Sequence, residues 1–147
     1  MLTILCPFCK SPRTRVIDKR DTERGKVIRR RRECLKCKKR FTTYERVSLD
    51  LIVIKKDGRR ERFDREKLKT GIMKACEKRP ISLRTIERLV NEIESELREL
   101  HTPEIKSRTI GDIVMKKLKK LDEVAYVRFA SYYKPFKDVK SFKKALR

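Results

Sequence analysis

Cys6-Pro7-Phe8-Cys9 and, after 24 intervening residues, Cys34-Leu35-Lys36-Cys37 decide how this chain is read. A two-residue spacer lets one tight turn point both sulfurs at the same ion. One pair cannot close a tetrahedron, so a second pair must be brought in on its own turn. Two CxxC pairs in one short segment therefore point to a four-cysteine Zn2+ site built from Cys6, Cys9, Cys34 and Cys37, in the layout of a zinc ribbon. The alternatives are two disulfides or four inert thiols. Nothing in the sequence marks the chain as secreted, which weighs against disulfides, and a redox CxxC would want a βαβ context that is missing.

Around the two pairs the chain is densely basic. Arg13, Arg15, Lys19, Arg20, Arg24 and Lys26 lead to an unbroken run, Arg29-Arg30-Arg31-Arg32, and Lys36, Lys38, Lys39 and Arg40 surround the second pair. Residues 1–48 hold 16 Lys+Arg against 5 Asp+Glu, so half of the net charge of +22 falls in a third of the 147 residues. Such one-sided density points to a polyanion, nucleic acid before an anionic membrane. A charge-rich thermophile surface also raises the charged fraction, here 44%, but it suits the mixed-sign later part better than the early part. Arg15, Arg29, Arg30, Arg31, Arg32, Lys38, Lys39 and Arg40 are the candidates for contact with nucleic acid.

Residues 1–48 are too few and too polar to bury a sufficient core. The metal must replace it, since structural zinc supplies on the order of 10–16 kcal/mol of apparent binding energy that becomes folding energy. Stretches 14–17, 27–33 and 41–47 read as short strands, with a turn at 21–25. Phe8 and Phe41 are expected beside the metal. On a strand the arginine run alternates between two faces, and a ribbon has so little interior that both can stay basic.

Composition changes at 48–50. Leu51-Ile52-Val53-Ile54 is apolar and β-branched, a strand; Asp57-Gly58 is a tight-turn signal; 59–63 is the returning strand. Asp64 is a good N-cap for an amphipathic helix over 64–78 that carries Leu68, Ile72, Ala75 and Cys76 on one side and is stopped by Pro80. Ser82 caps a second helix with a stripe from Ile86 to Leu100. A connection containing Pro103 follows, then a helix starting near Ser107 or Thr109. Asp122 caps a fourth, 123–133, which is apolar almost all round and so either central or a subunit contact. Asp138 caps a frayed last helix. The fold class is α+β: a small β ribbon at 1–48 joined to a mainly helical domain with a β-hairpin at 49–147. Cys76 reads as a small buried hydrophobe. No apolar run is long enough to span a bilayer and no signal peptide is visible, so a cytoplasmic, nucleoid-associated location is expected, without a membrane partner.

The hairpin and the start of the first helix carry a second constellation. Lys55 and Lys56 stand at the tip of the hairpin, and Lys67 lies in the helix's first turn, where free N–H groups and the dipole favour anions. The three lysines can converge on a polyphosphate, or stand solvated. GxxxxGK[ST] is absent, so this is no P-loop.

The pattern Val53-x-Lys55-Lys56-Asp57-Gly58-x-x-Glu61-x-Phe63-Asp64-x-x-Lys67-Leu68 resembles the ATP-cone, a nucleotide-sensing helical domain found on ribonucleotide reductases. The ribbon resembles that of the NrdR family, repressors of ribonucleotide reductase genes. The shared stretches are Cys6-Pro7-Phe8-Cys9, Arg15-Val16-Ile17-Asp18, Ile28 to Cys34 and Arg40 to Glu45, joined further on by Ala75 to Pro80 and Val124 to Ser131. The resemblance covers nearly the whole chain in the family's order. It implies a ribbon that binds double-stranded DNA at paired operator boxes through those basic residues, and a cone that binds ATP and dATP and so sets the state of a homo-oligomer. By position it implies Val53 and Glu61 beside the base, Lys55, Lys56 and Lys67 on phosphates, Asp64 and Ser107 lining the pocket, and Tyr126 or Tyr133 sensing the sugar. Lys56 stands where many cones have Arg and keeps the charge without the fork.

Two other functions compete. A nucleotide hydrolase would need a general base or metal-binding carboxylates, and none accompanies the lysines; His101 reads as a helix-end residue. The chain is therefore expected not to be an enzyme. A general zinc-ribbon factor that binds nucleic acid or accompanies a polymerase would explain the charge but leave 51–133 without a role.

Overall fold

The computed structural model describes residues 3–22 and 24–147. The chain forms two compact units, Met1–Ser48 and Leu49–Arg147.

The first unit is a three-stranded antiparallel sheet with β2 in the middle: β1 (Thr14–Thr22), β2 (Val27–Cys34) and β3 (Arg40–Arg46). β1 runs five residues beyond the stretch its composition suggests. Its later residues are charged, and what holds them is continued pairing, Lys19 to Arg30 and Asp21 to Ile28, rather than apolar alternation. A bulge between Val16 and Asp18 shifts the register there. Gly25, at φ 84°, closes the turn towards β2. The buried residues described in this unit are Cys6, Ser11, Val27, Glu33 and Cys34, so Val27 is its one ordinary apolar core residue. Phe8, inside the first cysteine turn, is 54% exposed and carries Lys39 Nζ 4.8 Å above its ring.

The second unit holds β4 (Ile52–Ile54), β5 (Arg60–Arg62), α1 (Arg65–Ala75), α2 (Leu83–Glu99), β6 (Glu104–Lys106), α3 (Ser107–Leu121), α4 (Glu123–Tyr133) and α5 (Val139–Leu146). β6 replaces the plain connection expected around Pro103. It pairs parallel to β4, Val53 to Ile105, while β5 pairs antiparallel on the other side. Three residues with one apolar side chain have no strand signal of their own; the neighbour recruits them.

α1 starts where Asp64 accepts from the backbone N–H of Glu66 and Lys67. It ends at Ala75, short of Lys78. The chain takes φ 57° at Lys78, and Pro80 disfavours helical geometry at Arg79. α2 buries Ile86, Leu89, Val90, Ile93 and Leu97, each contributing roughly 1.5–3 kcal/mol by burial. Arg65 ties α1 to α2, donating to Glu87, Asn91 and Glu94 at 2.8, 2.6 and 3.2 Å. Lys117 on α3 sits 3.5 and 3.3 Å from Glu92 and Glu96 of α2. α4 packs on α1 and α3 and buries Ala125, Tyr126 and Ala130, while Tyr132 remains 58% exposed. The core draws on β4, β6 and α1 to α4, with Leu146 of α5 packed against it, and Cys76 lies in it as a buried free thiol.

Candidate functional site

The two cysteine turns have the same geometry. In the first, Cys6 C=O accepts from Lys10 N–H and Cys6 N–H donates to Ser11 C=O, both at 2.9 Å; in the second, Cys34 C=O accepts from Lys38 and Cys34 N–H donates to Lys39, both at 3.0 Å. Leu35 N–H donates to Arg13 C=O at 2.9 Å and fastens the second turn to the entry of β1. The four sulfurs lie within 4.8 Å of one another, with Cys6–Cys37 and Cys9–Cys34 at 3.6 Å. A tetrahedron with Zn–S bonds of 2.3 Å has edges of about 3.8 Å, so the cage fits zinc. The surroundings of the sulfurs set the thiols apart. Cys34 is lowered to about 6, chiefly by the Cys37 backbone N–H. At Cys37 the Lys39 backbone N–H pulls downward, but burial and the three other sulfurs outweigh it and push that thiol up to about 11.

The candidate DNA-contacting residues divide between the faces of the sheet. Arg15, Arg29, Arg31 and Arg40 stand on one face, because Arg15–Glu33–Arg40 and Arg31–Thr42 are direct cross-strand neighbours and alternate residues return to the same side. Arg30 and Arg32 stand on the other, where Arg30 pairs with Glu45 at 2.8 Å and Arg32 donates to Thr43 at 3.1 Å. Those two line a shallow recess of about 360 Å³ with Ile4 and Thr43. Lys38 and Lys39 sit on the second cysteine turn. Sequence reasoning passed over Glu33, which is almost buried in this basic field. Its carboxyl is held below the usual range by hydrogen bonds from Arg15 and then Arg40. An acid directly before a ligand cysteine at the end of an arginine run was the available signal.

In the second unit, Val53 and Glu61 are directly opposed on the hairpin. Lys55 Nζ and Lys67 Nζ both reach Glu61 Oε2, at 3.6 and 3.5 Å. Lys55, Lys67 and Glu61 thus meet, whereas Lys56 lies exposed at the turn. Val53 is 6% exposed and its side chain belongs to the core. Asp64 spends its carboxylate on the cap of α1. Tyr133 O–H donates to the backbone carbonyls of Ser107 and Arg108 at 3.3 and 2.7 Å, which brings it to the start of α3 beside Ser107. Tyr126 is placed differently: it is buried, and its hydroxyl donates to Ala145 C=O of α5 at 3.4 Å.

Comparison with known proteins matches residues 51–139 to the model of the ATP cone domain. Residues 4–45 match that of the transcriptional repressor NrdR-like N-terminal domain. A transcriptional repressor NrdR from Pelotomaculum thermopropionicum is 59% identical over 97% of this chain and 86% of its own length. The chain belongs to the NrdR family. NrdR relatives from Acetivibrio thermocellus and Petrotoga mobilis are 58% and 57% identical, each over 97% of this chain and 95% of their own. The name these NrdR proteins carry describes a non-enzymatic role. The expected architecture, a four-cysteine ribbon with an α+β cone, agrees with both matches. Among the described residues no helix is long and apolar enough to cross a membrane.

Proposed function

We propose that this chain is a zinc-dependent, DNA-binding transcriptional repressor whose state is set by ATP and dATP, acting on ribonucleotide reductase genes through paired operator boxes. The observation that carries it is the union in one chain of an arginine-covered sheet hung on a four-sulfur cage and a cone in which Lys55 and Lys67 both reach Glu61. One zinc per chain fixes the ribbon. Arginine and lysine contacts to phosphate supply salt-dependent affinity, and forks on base edges supply sequence. A single small ribbon reads weakly, so specificity needs several ribbons held at fixed spacing by a homo-oligomer.

The cone supplies the control. Lys55, Lys56 and Lys67 take the phosphates, with Val53 and Glu61 beside the base and Ser107 and Tyr133 lining the pocket. Asp64 serves the pocket by capping α1, and Tyr126 by holding α5. ATP and dATP differ by one hydroxyl, and a pocket that hydrogen-bonds the 2′-OH or packs against its absence separates them. Each nucleotide then favours one assembly over another.

Light scattering of the zinc-loaded chain with ATP, with dATP and with neither tests the reading. Distinct assembly sizes are expected, together with loss of nucleotide binding in Lys55→Ala and Lys67→Ala. One unchanged size in all three conditions, or steady phosphate release from ATP, overturns it.

A further inference from the structure

Three rows cross one face of the ribbon sheet. Glu33 lies between Arg15 and Arg40, Arg31 between Asp18 and Thr42, and Arg29 between Arg20 and Tyr44. The bulge between Val16 and Asp18 brings Asp18 and Arg20 onto the face that already carries Arg15. Both acids of this face are engaged by arginines. Asp18 takes Arg20 at 3.1 Å and Arg29 at 4.0 Å. Glu33 Oε1 accepts from Arg15 Nε and Nη2 at 3.2 and 2.8 Å, and Oε2 accepts from Arg40 Nε at 3.3 Å.

Glu33 is the sharper case. Its side chain is 12% exposed, while those of Arg15 and Arg40 are 61% and 60% exposed. The carboxylate is sunk and the guanidinium groups stand out. It holds both by their Nε side, so the outer Nη1–Nη2 edge of each guanidinium keeps N–H groups to offer. That edge presents two parallel N–H groups, the geometry of a bidentate pair with O6 and N7 of guanine. Holding an arginine this way lowers the rotamer entropy lost on contact. The two backbones lie two strand spacings apart, about 10 Å, comparable with roughly three base-pair steps of 3.4 Å.

We propose that Glu33 is a positioning residue for sequence reading, fixing Arg15 and Arg40 as two outward forks for guanine edges, so that this face of the sheet carries the selectivity. This deepens the DNA-binding reading above and rests on it. Simple electrostatics predicts the opposite sign, because a carboxylate facing DNA repels phosphate and its removal helps binding.

The test uses the zinc-loaded full chain in one fixed nucleotide state. A duplex enriched by the wild-type chain from a random-sequence pool is compared with the unselected pool. In Glu33→Gln with zinc retained, affinity for the pool is expected to hold or rise while affinity for the enriched duplex falls, lowering the ratio about tenfold. Arg15→Lys and Arg40→Lys are expected to lower the same ratio with the salt slope on the pool unchanged, since charge is kept and the fork is lost. If Glu33→Gln sheds zinc, these two substitutions decide. A ratio that survives in both, affinities that rise together in Glu33→Gln, or a fall confined to Arg32→Lys on the opposite face overturns the proposal. Failure of the wild-type chain to enrich any duplex sinks the DNA-binding reading itself, a result distinct from every variant outcome.

Discussion

Lys10 and Lys38 each follow the second cysteine of a pair, and they hold φ at 60° and 62°. The turn needs that conformation to return N–H groups to Cys6 and Cys34. A side chain there costs roughly 1–2 kcal/mol that glycine avoids. Lys10→Gly is therefore expected to stabilise the zinc-bound ribbon by about 1 kcal/mol, read as up to about fivefold tighter retention of zinc against a competing chelator. Weaker retention would show that Lys10 contributes a contact that outweighs the strain. The cysteine spacing foretold the turns, but not which residue bears the left-handed backbone. Composition points to glycine at such a place, and here lysine occupies it in both turns. Asp122 is a second residue with two duties. It accepts from Ala125 N–H as the cap of α4 and from Arg79 at 2.9–3.1 Å. Arg79 first, then the Ala125 N–H, hold its carboxyl below the ordinary value of 3.8. A depressed carboxylate contributes stability that is complete above the ordinary value and drains away as pH falls through the lower folded one. Asp122→Asn should flatten that acid limb in helical melts taken from pH 5 downward. A limb of unchanged steepness would assign it to other carboxylates.

At the scale of elements, the long amphipathic helices were legible because their apolar stripes repeat over several turns, and Asp64, Ser82, Asp122 and Asp138 announced their caps. β6 was not, since its pairing partner lies some fifty residues away in sequence and nothing local marks it. The placement of Tyr133 was hidden for the same reason. Its ring stacks on Phe129, with centroids 5.5 Å apart, and occupies the space above Gly111 of α3, where an added Cβ would fall on Cζ, Cε2 and Oη of the tyrosine. Alanine at a helical glycine gains about 1 kcal/mol in propensity, but overpacking costs about 1–3 kcal/mol. Gly111→Ala is expected to lower the melting temperature of the helical unit and, because Tyr133 must leave Ser107, to weaken nucleotide binding. In a Tyr133→Ala background the steric part should vanish, leaving a neutral or stabilising change. An equal penalty with and without the ring would sink the idea that the glycine is kept for the tyrosine.

At the scale of the whole molecule, the two units are stabilised by different physics. Among the described residues of the first, two of the few buried side chains are cysteines of the cage, and Val27 is the only other apolar one. The second has a continuous apolar core that includes Ile72, Val90, Ile93, Leu97, Val114 and Leu118. Metal binding on the order of 10–16 kcal/mol is comparable with the whole stability of an ordinary domain, roughly 5–15 kcal/mol, so the ribbon has no reserve once the ion leaves. Its positive charges then repel one another without a sheet to hold them. A strong chelator is thus expected to abolish amide protection across 14–46 and DNA binding with it. The helical far-ultraviolet signal and nucleotide binding should persist, because among the described residues the four sulfurs grouped to hold an ion all lie in the first unit. Hydrogen exchange resolved by residue separates the two units in one experiment, before and after chelation. Protected strand amides in the metal-free chain would mean that the arginine-bearing sheet holds itself together, and that the four sulfurs are not the core that this sheet otherwise lacks.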